Sequence, residues 1–503
     1  MFLLKNQSIR FFCLIVLIIT YGCHKQLESH LTPIEEAILH QSDSFFYIDT
    51  QPYPRNDKTL PVGVFDSGTG GLTVLDAIIN FDQYLNRDHT YHPGGDGQPD
   101  FQAEYFIYLG DQANMPYGNY SLENNLTLLL EHIIKDVQFL LGNKYYPHAG
   151  SSTYREDKDA VKAIVIACNT ATAYGKDKIE QFLDRAGLDI RVIGVIDAGV
   201  RAALSHFEPP EDGSIAVMAT AGTVSSNGYV HALREQIKLG GYTGTMDIFQ
   251  QAGIGLAGAI DGSSEFIDPA ATQPRTDYRG PFVNHSQAKL DTTILPRYAF
   301  DWQKRRMLHD GEADQPKNIQ INSIENYIRY HLVSLLEQIR QSGTAQPLKA
   351  IILGCTHYPF YIQVFREILH NLYEYREEGE YIYRPFMHWP IHFIDPAENT
   401  ARELYEYLLA YELFNSTDLI NSEFYISVPN RDNPDVQVDT AGNFTYEYKY
   451  GRKAGFIQEY VKRVPLGSPA ISEDVLSRLK TSIPQTYRLI EEFNRSNAKL
   501  KSN

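Results

Sequence analysis

A doubly wound α/β fold is predicted by three observations. Short, continuous runs rich in Ile and Val recur along the chain, as strands covered on both faces of a parallel sheet require. Each run ends in a small polar turn, and helical periodicity separates the runs.

The first run, Val62 to Phe65, leads into Asp66-Ser67-Gly68-Thr69-Gly70-Gly71 and then into Leu72, Leu75, Ile78 and Ile79 on one helical face. This is strand, glycine loop, helix. A phosphate loop competes, but Walker A needs Gly-Lys-Ser/Thr, the dinucleotide fingerprint needs another glycine spacing, and Asp66 would repel a phosphate. Tyr105 to Leu109 precedes Gly110-Asp111, and Ala163 to Ile166 precedes Ala167-Cys168-Asn169-Thr170-Ala171. Val192 to Ile196 precedes Asp197-Ala198-Gly199, and Ile215 to Met218 precedes Ala219-Thr220-Ala221-Gly222-Thr223. Ser323 caps a predicted helix from Ile324 to Ile339, with Ile324, Tyr327, Ile328, Leu332, Leu335 and Ile339 on one face and Gly343 and Pro347 closing it. That helix delivers the chain to the run Ala350 to Leu353 and the motif Gly354-Cys355-Thr356-His357-Tyr358-Pro359.

Between these units, segments 82–103, 144–158, 262–322, 373–390 and 430–503 are rich in Gly, Pro, Asp, Asn and Tyr and lack sustained periodicity, so they read as surface insertions. Phe444, Tyr446, Tyr448 and Tyr450 alternate with polar residues as in an exposed hairpin strand. Val475 to Leu500 reads as one charged helix.

At 503 residues and 43% hydrophobic, the chain has room for two domains plus insertions. A net charge of -17 with no basic stretch argues against nucleic acid, because counterion release needs clustered Lys and Arg. At the N-terminus, Lys5 and Arg10 precede an apolar run from Phe11 to Ile19, then Thr20-Tyr21-Gly22-Cys23. The run is short for a bilayer span and reads as a signal-peptide core, with an uncleaved signal anchor as the alternative. Its Gly-Cys ending resembles a bacterial lipobox, which implies a signal over 1–22, a lipidated Cys23 as membrane tether, and a stalk over 23–59 with Pro33, Pro52 and Pro54. The globular part is then expected in the cell envelope, lipid-anchored and facing the periplasm.

Only Cys168 and Cys355 remain in the folded region. A structural disulfide is the plain explanation for such a pair in an exported protein. It does not require Asn-Thr after one cysteine and Thr-His after the other. Two thiols at two strand ends can instead face each other across one cleft, where open α/β sheets bind ligands.

In order, Val64-Phe65-Asp66-Ser67-Gly68-Thr69-Gly70-Gly71-Leu72, Gly110-Asp111 with Pro116-Tyr117-Gly118, Cys168-Asn169-Thr170, and Gly354-Cys355-Thr356-His357-Tyr358-Pro359 resemble glutamate racemase, of the cofactor-independent Asp/Glu racemase superfamily. The resemblance covers about 60–261 and 323–429. It implies two pseudo-symmetric α/β domains with the active site between them: one lobe from 60–190 with 358–429, a second from 191–357 interrupted at about 262–322, and a C-terminal extension over 430–503.

Racemisation removes the α-proton from one face and delivers a proton to the other, so two acid/base groups on opposite sides are the minimal solution. A thiol suits this because its unperturbed pKa of roughly 8.5 lies near working pH. The resemblance implies that Cys168 deprotonates the D-enantiomer and Cys355 the L-enantiomer, with Asp66 and His357 assisting and Asp111 as a third acidic group. Substrate positioning falls to Ser67, Pro116, Tyr117, Gly118, Asn169, Thr170, Thr220, Thr223 and Thr356. No cofactor and no metal are expected, and a homodimer is compatible with the resemblance.

Two stretches depart from the family. Its usual Cys-Pro and loop-ending Glu are replaced by Gly253-Ile254 and Asp261, and its Glu-Pro-Gly by Asp197-Ala198-Gly199. Glutamate racemases supply D-glutamate to peptidoglycan from the cytoplasm, whereas export is expected here. A lipoprotein that binds an amino acid or peptide without turnover is therefore one alternative, and an aspartate- or hydantoin-type racemase another.

Overall fold

The computed structural model describes residues 31–260, 265–311, 316–343, 345–440, 442–467 and 470–500. The expected signal segment, Cys23 and Asp261 lie outside the described residues. No helix among the described residues is long and apolar enough to cross a membrane.

Two sheets form the frame. The first contains β1 (Val62–Asp66), β2 (Phe106–Gly110), β3 (Ala163–Ile166) and β4 (Arg191–Gly194). The second contains β5 (Gly213–Ala219), β6 (Met246–Ala252), β7 (Leu348–Gly354) and β8 (Met387–Ile394). β9 (Glu423–Pro429) and β10 (Val461–Pro465) return to the first sheet, giving the orders β10-β9-β2-β1-β3-β4 and β8-β7-β5-β6. All pairings in the two sheets are parallel except that of β10 with β9. Helices cover both faces, as doubly wound parallel sheets require. The fold class expected from the Ile/Val runs is the one observed.

The sheets redraw the lobe boundaries. β4 pairs with β3, with Val192 opposite Ile164, so the first lobe extends past 190. β8 pairs with β7, with Ile394 opposite Ile352, so a strand within 358–429 belongs to the second lobe. The C-terminal extension contributes β10 to the first sheet. The run expected as a strand to Ile196 stops at Gly194, because Val195–Leu204 is a helix.

Three further expectations change. The stalk is packed in its described part: Thr32 and Glu35 form a capping box on the helix Pro33–Leu39, and Ile34, Ile38, Phe46 and Tyr53 join the first lobe's core. Each fully buried Ile or Phe contributes roughly 1.5–3 kcal/mol, which favours docking of such a segment over extension into solvent. The tyrosine row is helical, since the Thr445 side chain accepts from the Tyr448 N–H and starts Tyr446–Gly451. The terminal helix is two helices, Glu473–Ser482 and Pro484–Ser496, because Pro484 has no N–H to continue the first.

Ser323 caps Ile324–Ser342 as expected, and Gly343 ends it in the left-handed region at φ 71°. The insertion before it buries Tyr278, Leu290, Tyr298 and Phe300 with that helix in the second core. Pro396–Ala410 contacts both the first-lobe helix Leu72–Ile79 and Val195–Leu204, forming the seam between the sheets.

Candidate functional site

The carboxyl ends of β1, β3 and β7 meet at the seam. Asp66 ends β1, and its Oδ2 accepts the N–H groups of Gly68 at 3.1 Å and Gly71 at 2.9 Å. The loop must fold tightly to make these bonds. A Cβ on Gly71 would stand 2.4 Å from the Asp66 Cβ, so only glycine fits. Burial holds the Asp66 carboxyl above the usual carboxylate range, opposed by the Gly71, Gly68 and Ser67 N–H groups and by the Cys168 thiol.

Cys168 follows β3 and is the N-cap of the helix Asn169–Ala186, where its Sγ accepts the Ala171 N–H at 3.4 Å. Ser67 Oγ stands 3.7 Å from the same sulfur. A helix N-terminus favours a thiolate. Burial and the nearby Asp66 outweigh it here and push the thiol up to about 12, so the resting group is the neutral thiol.

Cys355 follows β7, and its Sγ lies 3.7 Å from His357 Nδ1. Both cysteines are free and buried. The Tyr358 hydroxyl donates to the Gly253 carbonyl at 3.4 Å, and burial with the adjacent Cys355 raises the phenol. A Cβ on Gly253 would stand 2.0 Å from the Tyr358 oxygen, leaving no room for a side chain there.

A cavity of about 20 Å³ joins the two lobes; Ala167 and Asn169 line it from the first, and Gly354, Cys355 and Thr356 from the second. Asp395 closes it from the end of β8. The structure thus brings Asn169, Cys355 and Thr356 together, with Cys168 the residue before Asn169.

Other expected site residues have local partners. Thr220 caps Ala221–Ser226 through the Thr223 N–H at 3.4 Å, and the two threonine hydroxyls are 3.1 Å apart. Thr170 is half-buried on the first turn after Cys168. Gly118 approaches the second lobe, with a Cβ built on it 3.9 Å from the Gly222 Cα. Pro116 follows a cis peptide bond. Tyr117 and Asp111 turn into the first lobe. Asp111 accepts Ser427 Oγ at 2.6 Å and Asn114 Nδ2 at 3.0 and 3.1 Å. The Tyr117 hydroxyl lies 2.7 Å from Asp111 Oδ2 and 2.6 Å from Asp136 Oδ2.

Two residues at the seam escape the sequence motifs. Asp395 caps Pro396–Ala410 through the Ala397 N–H at 2.9 Å, and burial pushes its carboxyl up to about 6. Its signal is legible in principle, as an apolar run ending in Asp-Pro before a helix. Tyr229, in the first turn of Gly228–Leu239, donates to Asn169 Oδ1 at 3.1 Å. No local motif marks it.

No family model matches the chain. Among curated relatives, the glutamate racemase of Chlorobaculum tepidum is 31% identical over 246 residues, 48% of this chain and 69% of that protein. That of Aquifex pyrophilus is 31% identical over 301 residues, 59% and 94% of the two chains. That of Oceanobacillus iheyensis is 27% identical over 360 residues, 71% and 83%. A solved structure, glutamate racemase isoform RacE1 from Bacillus anthracis, is 22% identical over 73% of this chain and 87% of that one, with a TM-score of 0.39, too loose to carry site geometry across. With relatives of this identity matched over most of their length, the chain belongs to the glutamate racemase family of isomerases.

Proposed function

We propose that this amino-acid racemase interconverts L- and D-glutamate by passing the α-proton between substrate and two thiols, Cys168 on one face and Cys355 on the other, and that the product serves cell-wall synthesis. The supporting observation is the pair of buried free cysteines at the ends of β3 and β7, with Cys355 and Asn169 lining one inter-lobe cavity. The resting Cys168 thiol is neutral, as the proton donor of the L-to-D direction must be. In that direction Cys355 takes the α-proton as a thiolate and Cys168 delivers its own to the opposite face. The reverse direction exchanges the roles, and charge and protons balance without a redox partner.

Asp66 stands beside Cys168 and His357 beside Cys355, each placed to assist its thiol. Asn169, Thr170, Thr356 and Ser67 supply amide and hydroxyl donors for the carboxylates. Asp111 and Tyr117 act through the shape of the 112–118 loop, given their buried network.

Proton NMR of the full-length, reduced protein in D2O tests the proposal. Loss of the α-proton signal with inversion is expected for both glutamate enantiomers, and an amino-acid panel ranks the alternatives. Racemisation is expected to fall by about 10²- to 10⁴-fold in Cys168→Ala and in Cys355→Ala, the usual range for loss of a general acid or base. Binding of glutamate without exchange in the wild type would overturn the proposal and make the protein a binding module.

A further inference from the structure

The amide of Asn169 has a partner on the opposite lobe. Tyr229 belongs to Gly228–Leu239, which packs on the second sheet, and its ring is 1% exposed. The ring fits because residue 354 is glycine: a Cβ there would stand 2.9 Å from the Tyr229 Cε2. From this seat beside Cys355 the hydroxyl reaches across the seam to Asn169 Oδ1 at 3.1 Å. Asn169, in turn, follows Cys168 directly and lines the inter-lobe cavity with Cys355 and Thr356.

An asparagine amide carries an acceptor on one side and two donor hydrogens on the other. Unrestrained, it can present either side to the cleft, and its oxygen would repel a substrate carboxylate. A phenol hydroxyl that donates to Oδ1 removes that choice and leaves the Nδ2 hydrogens for a further acceptor. Burial and the neighbouring Asp395, Cys355 and Asp197 keep the phenol protonated, so it remains a donor throughout the working range.

We propose that Tyr229 is a positioning residue, whose hydroxyl orients the Asn169 amide so that Nδ2 faces a substrate carboxylate, and that it does so only when the lobes are closed. The dependence on closure follows from the two residues lying on different lobes. The proposal deepens the racemase reading and rests on it.

Tyr229→Phe, Asn169→Ala and the double variant, all in the full-length protein, form the test. Kinetics of racemisation and the calorimetric Kd for glutamate are read in each. Loss of one net hydrogen bond is worth about tenfold, so Tyr229→Phe should raise KM and Kd about tenfold while changing kcat less. In the Asn169→Ala background the same substitution should have no further effect, because its target is gone. A merely structural tyrosine would instead weaken both backgrounds equally. Unchanged KM and Kd in Tyr229→Phe, or additive losses in the double variant, overturn the proposal. Wild type that binds glutamate without turnover overturns the racemase reading, while the Kd series still decides the role of Tyr229. Wild type that neither binds nor turns over glutamate overturns both.

Discussion

The Cys168 sulfur sits between opposed influences, and their balance sets its chemistry. Burial and the Asp66 carboxyl favour the thiol, whereas the Ala171 N–H and the Ser67 contacts favour the thiolate. With the thiol held at about 12, its thiolate fraction at pH 8 is on the order of a thousandfold below that of a free cysteine. Iodoacetamide alkylation of the Cys168 peptide, followed by mass spectrometry in Cys355→Ala protein, is therefore expected to be slow at pH 8. It should keep rising, without a plateau, up to pH 10. A plateau near pH 8.5 would mean that burial is not holding the proton. That Asp66, Cys168 and Cys355 stand at strand ends was readable from sequence, because each directly follows its own apolar run. Tyr229 was not readable, since its partner lies 60 positions away and only packing of two lobes brings them together.

Elements with a locally complete pattern were readable, and those that borrow pattern from neighbours were not. The buried central strands β1, β3, β5 and β7 are continuous apolar runs. The edge strands β6 and β8 are half-exposed, and β8 carries Pro390, so neither presents such a run. The tyrosine row failed for a related reason. Alternation predicts a strand, but the Thr445 cap and the packing of Tyr448 and Phe444 on Arg452 select a helix. That helix has a mechanical role. Lys449 Nζ donates to the Met115 carbonyl at 2.7 Å, and Asn125 Nδ2 donates to the Tyr450 and Arg452 carbonyls at 2.8 Å. The Tyr446 hydroxyl donates to Glu123 at 2.7 Å. The C-terminal extension thus braces the 112–125 loop that presents Gly118 to the second lobe. A hydrogen bond of this kind contributes about 1–1.5 kcal/mol, so Lys449→Ala should speed amide hydrogen exchange in 112–125 by about tenfold and leave β1 and β3 unchanged. Uniform acceleration across both lobes would instead mean global destabilisation.

At the scale of the molecule, the cavity is far smaller than its proposed occupant. Small-molecule sites run roughly 300–1,000 Å³, whereas about 20 Å³ between the lobes holds a single water. An amino acid seated in this cavity therefore requires the lobes to part. The contacts that would have to shift include the packing of Asn169–Ala186 against Ala221–Ser226 and Gly228–Leu239. The first-lobe loop at Gly118 meets the helix at Gly222, the Tyr229 hydroxyl meets Asn169, and Pro396–Ala410 forms the seam behind them. Motion about that seam would open the mouth while each sheet stays intact, which is the usual economy of hinge closure. A Cβ built on Gly118 stands 3.9 Å from the Gly222 Cα and one built on Gly222 meets nothing within 4 Å, so cysteines fit at both positions and lie across the mouth from each other. The double variant Gly118→Cys, Gly222→Cys is expected to lose racemisation when oxidised and to recover it on adding dithiothreitol, whereas the rate of each single variant should be the same in both states. If the oxidised double variant turned over at the reduced rate, opening at this mouth would not be required. Substrate would then have to reach the thiols by another route, past His357 and the 253–260 loop.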